Sequence, residues 1–164
     1  MKKIWNEIKD YIFIILAVVL IRTFIITPAI VDGASMDNTL ENGQLVLINK
    51  FIYRFDDINR FDIVVINNDE DSDKIIKRVI GLPNEIIEYR DNVLYINGKK
   101  IETEIDFIET DDFIAKTGEN EYFVLGDNRP ISKDSRYFGN FKKDDIIGRV
   151  TIRLYPFSKF GLVK

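Results

Sequence analysis

A chain of 164 residues with no His and no Cys has few ways to run covalent catalysis. A Ser-His-Asp triad lacks its base and a Cys-His pair lacks both members, so a Ser or Thr hydroxyl activated by a Lys amine is the main arrangement left. The pattern singles out one Lys. In Ile75-Ile76-Lys77-Arg78-Val79-Ile80 a strand's period of two puts Ile75, Lys77 and Val79 on one face and Ile76, Arg78 and Ile80 on the other. Burial between such neighbours disfavours the ammonium, so Lys77 should lose its proton more readily, as a general base requires. Arg78 stays charged and needs a carboxylate. The competing reading is an edge strand whose two basic side chains reach water. Ser35, in Ala34-Ser35-Met36-Asp37, reads by itself as a loop or turn serine. Without imidazole or thiolate, any metal would be left with carboxylates and carbonyls, which suit calcium or magnesium better than zinc.

Those residues need a scaffold, and the chain length fits one membrane segment followed by one soluble domain. Charges are mixed throughout, with 27 acidic against 23 basic residues and a net charge of −4. No basic stripe of the kind that tracks a phosphate backbone is present, which argues against nucleic acid as a partner. Tyr11 through Ile21 is apolar without a break, Arg22 and Thr23 interrupt, and Phe24-Ile25-Ile26 resumes. Counted through Arg22, with that side chain snorkelling, residues 11–31 reach the length of a membrane anchor. Lys2, Lys3 and Lys9 precede it, while no Lys or Arg occurs from Thr23 to Asn49. The positive-inside rule then makes 1–10 a cytoplasmic N-terminus and 32–164 an extracytoplasmic domain. A cleaved leader is the alternative, but Pro28 spoils the Thr27-Ala29 site and Asp32 spoils a cut after Ala34, so retention is expected.

Beyond the anchor the chain reads as strands and turns. Gln44 to Lys50, Phe61 to Asn67 and Lys74 to Ile80 are short Ile- and Val-rich runs separated by Asn, Asp, Gly and Pro. Ile86–Tyr89 and Val93–Ile96 flank a turn at Asp91-Asn92, and Asn97-Gly98 is a strong hairpin signal. Tyr122 to Leu125 and Arg149 to Leu154 add two strands, whereas 102–120 reads as an acidic, polar loop or weak excursion. The expected fold is a mostly β domain on a single N-terminal transmembrane helix.

Three separated segments together resemble the bacterial type I signal peptidase family. Asp32-Gly33-Ala34-Ser35-Met36-Asp37-Asn38-Thr39-Leu40 is similar to the family's Ser-Met-x-Pro-Thr-Leu nucleophile segment. Lys77-Arg78-Val79-Ile80-Gly81-Leu82-Pro83 is similar to its catalytic Lys segment. The third, running from Gly126-Asp127-Asn128-Arg129 through Ser132, Asp134 and Arg136 to Gly139, resembles its Gly-Asp-Asn-Arg segment. Order, spacing and topology agree along nearly the whole chain. The short stretch between Pro83 and Gly126 implies a minimal form without a large inserted domain.

The resemblance implies a membrane-bound serine endopeptidase that removes signal peptides from secreted preproteins, with Ser35 as nucleophile and Lys77 as general base. It implies that Ser132 orients the Lys amine, that Asp127 pairs with Arg78, and that Asp134 pairs with Arg136. Val31 and Ile76 would help line the substrate pockets, which take small residues before the cut. No metal or organic cofactor is implied. Two departures stand out: Asn38 replaces the usual Pro, loosening the turn without removing a catalytic group, and Gly33 stands where some members carry a Ser for the oxyanion hole. The backbone N–H of Ser35 is then the surest oxyanion donor. The alternative function is a non-catalytic, membrane-tethered β domain that binds peptides.

Overall fold

The structure, a computed structural model, describes residues 2–68, 73–103, 105 and 109–163. The N-terminal segment holds no Gly or Pro before Pro28 and winds into α1 (Lys2–Phe24). The helix stops there because a residue preceding proline is pushed out of the helical region, which makes Thr27 extended. Ile26–Ile30 instead form β1, where Pro28 is tolerated because β1 is an edge strand.

Of the anchor expected over 11–31, the helix extends only to Phe24, and Ile26–Ile30 is sheet rather than helix. Among the described residues no helix is long and apolar enough to cross a membrane. The reason is charge at both ends: Asp10 and Arg22 bracket an apolar run of roughly 16 Å at 1.5 Å per residue, about half the hydrocarbon thickness.

The remaining strands are β2 (Leu45–Asn49), β3 (Ile63–Asn68), β4 (Asp73–Gly81), β5 (Ile86–Arg90), β6 (Val93–Ile96), β7 (Lys99–Lys100), β8 (Phe113–Lys116), β9 (Glu121–Leu125), β10 (Phe141–Lys142), β11 (Ile146–Tyr155) and β12 (Gly161–Leu162). Among the described residues they form two antiparallel sheets. The larger runs β1-β2-β11-β3-β4-β9-β10, with β12 on β11, and the smaller runs β7-β6-β5-β8. The mostly β expectation holds, and each strand read from the sequence has its counterpart within a few residues.

The small sheet is built on the expected turns. Asp91-Asn92 and Asn97-Gly98 all have positive φ, the backbone of two-residue hairpins whose twist matches that of their strands. The acidic loop expected over 102–120 is corrected in one part: Phe113–Lys116 pairs with β5, Ile86 opposite Lys116 and Tyr89 opposite Phe113. Part of 102–120 lies outside the described residues.

Apolar side chains from both sheets meet in one cluster of Ile80, Ile87, Tyr89, Leu94, Ile96, Phe123 and Leu125, all buried. Gly81 permits that junction, since a Cβ there would come within 2.6 Å of Ile87 Cδ1 and 2.9 Å of Phe123 Cβ. A second cluster, with Val31, Met36, Leu40, Ile63 and Val65, packs beneath the segment that carries Ser35. Met36 and Leu40, 2% and 0% exposed, anchor either end of that loop in the core. Burial of side chains of this size stabilises by about 1.5–3 kcal/mol each.

Candidate active site

Ser35 sits on the turn that follows β1, held by its buried neighbour Met36. Lys77 lies in the middle of β4, where β3 pairs on one side with Lys77 opposite Val64. On the other side β9 pairs with Arg78, Val79 and Gly81. The flank of β4 before Arg78 is open toward Ser35. Across it the Lys77 Nζ donates to Ser35 Oγ at 2.7 Å.

Lys77 is only 3% exposed. Burial pushes its amine down from 10.5 to about 8, against the pull of the Asp134 and Asp127 carboxylates, which favour the ammonium. The strand pattern anticipated this direction. The competing reading, basic side chains reaching water from an edge strand, fails because Arg78 is buried as well.

Arg78 has the carboxylate that its charge requires. Nε and Nη2 reach Oδ1 and Oδ2 of Asp127 at 2.8 and 2.7 Å, a bidentate pair, and Nη1 donates to the Phe61 carbonyl at 2.9 Å. Thr39, unassigned in the sequence reading, joins the pair: its hydroxyl donates to Asp127 Oδ2 at 2.5 Å and accepts from Arg78 Nη2 at 3.1 Å. The ion pair therefore grips the far end of the Ser35 loop. Nearby, Asp134 caps the short helix α2 (Ser135–Phe138) by accepting from the Arg136 N–H. Its carboxylate also receives the Arg136 guanidinium at 2.9 Å and the Gly126 N–H at 3.1 Å.

Ser132 departs from expectation. Its Oγ is buried and makes no hydrogen bond, so the expected bond to the Lys77 amine is not formed. The hydroxyl instead packs beside Gly126: a Cβ at that position would collide with the Ser132 side chain and stand 2.5 Å from the Ser35 carbonyl oxygen. Gly126 is the position where the segments carrying Ser35 and Ser132 close on each other.

The expected consequence of Asn38 also changes. Its φ is +83°, a conformation that proline's ring, fixed near −65°, does not reach. The turn after Ser35 thus follows a path suited to Asn, not a proline turn with a restraint removed.

A cleft of about 130 Å³ opens beside the Ser-Lys pair, lined by Ile30 to Gly33 on one wall and Lys74 to Lys77 on the other. Val31 and Ile76 are both among its walls. Among the described residues no group of His, Cys, Asp or Glu is arranged to hold a metal ion.

A hydroxyl bonded to a buried amine that gives up its proton near neutrality, beside a narrow cleft with an open strand flank, is equipped for acyl transfer on an extended peptide. Comparison with known proteins gives this class a family. The model of the family described as signal peptidase, peptidase S26, matches residues 4–155, and the chain belongs to that family of proteases. It is 40% identical over 157 residues to signal peptidase I of Bacillus caldolyticus, covering 86% of each chain. It is 38% identical to signal peptidase I P of Bacillus subtilis subsp. natto, covering 96% of this chain and 92% of the relative. The crystal structure of a signal peptidase I from Enterococcus faecalis V583 superposes with a TM-score of 0.53 at 39% identity, over 58% of this chain and 98% of that one.

Proposed function

We propose that this protein is a membrane-bound serine endopeptidase that removes signal peptides from secreted preproteins, with Ser35 as nucleophile and neutral Lys77 as general base. The observation that carries the reading is the 2.7 Å contact between Lys77 Nζ and Ser35 Oγ, together with an amine pushed down to about 8. At pH 7 such an amine is neutral in about one molecule in ten, some 300-fold more than at its ordinary value.

In that state the lone pair of Nζ takes the Ser35 proton as Oγ bonds to the scissile carbonyl carbon, and the Ser35 N–H stabilises the oxyanion. The C–N bond breaks as the ammonium returns the proton to the leaving amine. Water then gives a proton to Lys77 and attacks the ester, the acyl–Oγ bond breaks, and Ser35 recovers its proton. The released acid is the signal peptide. Asp127 and Asp134 hold Arg78 and Arg136 as structural supports.

The preprotein binds extended, as an added strand on the flank of β4 that β9 leaves open. A cleft of about 130 Å³ walled by Val31 and Ile76 suits small side chains such as Ala before the cut. The bilayer reading rests on α1, whose apolar side chains from Tyr11 to Leu20 are mostly half or more exposed. It also rests on the hollow of Ile30, Leu45, Tyr155, Phe157 and Phe160 next to the strand that leaves α1. Lys2, Lys3 and Lys9 precede the apolar run, which puts them at the cytoplasmic end and leaves the sheets outside in a single-pass arrangement.

The test is cleavage of a purified preprotein carrying an Ala-x-Ala site, in detergent, by the intact chain and by Lys77→Met. Cutting after the second Ala by the intact chain, with none by the folded variant, is the expected result. Equal cutting by both, or cutting by neither, would overturn the Ser-Lys mechanism and favour a peptide-binding domain.

A further inference from the structure

The mechanism places negative charge on the oxyanion opposite the Ser35 N–H, and one distant side chain bonds the other end of the peptide unit that carries that N–H. Asn128 reaches back 94 residues to the nucleophile loop, its side-chain amide donating to the Ala34 carbonyl at 3.1 Å. Its backbone N–H donates to the Ser35 carbonyl at 3.0 Å. The Ala34 carbonyl and the Ser35 N–H are opposite ends of one planar trans peptide unit, so fixing the first fixes the direction of the second. A hydrogen bond to the carbonyl also polarises the unit and strengthens its N–H as a donor. The Asp37 N–H makes a second contact to the same carbonyl at 3.2 Å, but Asp37 is three residues along the same turn and ties the loop only to itself. Asn128 ties that loop to the segment after β9, where Asp127 is bound to Arg78.

We propose that Asn128 is a positioning residue for the oxyanion hole: by clamping the Ala34–Ser35 peptide from behind it aims the Ser35 N–H into the cleft. The inference rests on the Ser-Lys reading above. It separates two kinds of support around one serine. Lys77 governs the proton of Oγ, and Asn128 governs the peptide that meets the developing charge.

The experiment uses the full chain in detergent with an Ala-x-Ala peptide substrate, a peptide aldehyde ending in the same sequence, and the variants Asn128→Ala, Asn128→Asp and Asn128→Gln. A tetrahedral adduct of the aldehyde needs the oxyanion hole, whereas ground-state binding of substrate does not. The expected result for Asn128→Ala and Asn128→Asp is a kcat about 10- to 100-fold lower with KM within about twofold, and aldehyde affinity lowered in proportion. The alkaline rise in kcat/KM should keep its midpoint, because Lys77 is untouched. Asn128→Gln, which retains an amide donor, should recover part of the loss. The Ser35 amide resonance of the resting protein should move in Ala and Asp variants that retain the intact melting temperature. A wild-type chain that cuts alongside a folded Asn128→Ala equal to it in kcat and aldehyde affinity overturns this inference alone. A shared rise in KM with unchanged kcat also overturns it. A wild-type chain that cuts nothing overturns the Ser-Lys reading and this inference together.

Discussion

Lys77 and Arg78 are consecutive residues of one strand, both shut off from water, and the two halves of the site they serve are built in opposite ways. Arg78 is met by a bidentate carboxylate, a threonine hydroxyl and a backbone carbonyl, so its charge is fully answered. Lys77 touches a neutral serine hydroxyl, and the carboxylates of Asp127 and Asp134 only partly offset its burial. The strand gives up stability at one cation, which makes it reactive, and recovers rigidity from the next. A paired buried charge is costly to break but inert, and an unpaired one is chemically useful because it is unstable.

Removing either cation, or its partner, should expose the contrast between them. Lys77→Met should lower cleavage by about 10⁴-fold, since a serine without its base keeps only oxyanion and binding contributions. The same change should make the protein more stable. Below about pH 8 the folded and unfolded amines are both protonated, so the wild type carries the full cost of burying the ammonium, roughly 3 kcal/mol from the difference between 10.5 and about 8. Between those values the unfolded chain binds more proton and wild-type stability rises with pH, so the advantage of Met should fade by pH 10.5. Urea unfolding in detergent at pH 7 and 10 measures both; a destabilised Lys77→Met at pH 7 would show that the amine is not a burden.

Asp127→Ala should act in the opposite sense, lowering stability by about 3–5 kcal/mol because it strands the buried Arg78. Pairing it with Arg78→Met should restore most of that loss, and a failure to do so in thermal melts would mean that Asp127 matters beyond the ion pair. Gly126→Ala should cost about 1–3 kcal/mol, since its methyl would stand 2.5 Å from the Ser35 carbonyl oxygen. Adding Ser132→Gly should relieve the side-chain collision and recover stability while cleavage stays low, because the nucleophile backbone is still displaced. The smallest effect is in pH: kcat/KM should rise about tenfold per unit up to about pH 8 and then level off, as the neutral amine becomes the main form. A flat profile between pH 6 and 8 in a cleavage assay would remove Lys77 as the titrating base.

Much of this arrangement was legible in the chain. The strand period around Lys77 and the Asn-Gly and Asp-Asn turns depend on local chemistry, which sequence carries directly. β1 and β8 were hidden for different reasons. Ile26–Ile30 continues an apolar run that reads as helix until the constraint before Pro28 is weighed, and Phe113–Lys116 is four residues of weak alternation in acidic surroundings that become a strand only when β5 is alongside. The pairings of Arg78 with Asp127 and of Asp134 with Arg136 followed from resemblance to a family. The clamps from Thr39 and Asn128 did not, because each joins residues 88 or more apart through polar side chains that look like ordinary turn residues.

Composition and local pattern set the menu: without His or Cys, a hydroxyl and an amine are the available reactants, and Ile and Val on both sides of Lys77 make a buried strand one of two readings. Tertiary structure alone decided which groups meet. It brought Lys77 within 2.7 Å of Ser35, left Ser132 packed beside Gly126 rather than bonded to the amine, and gave Asn38 a φ that proline could not take. These outcomes depend on distances of a few tenths of an ångström between segments distant in the chain, and such distances are set by the packing of both sheets together, not by any residue's own preference.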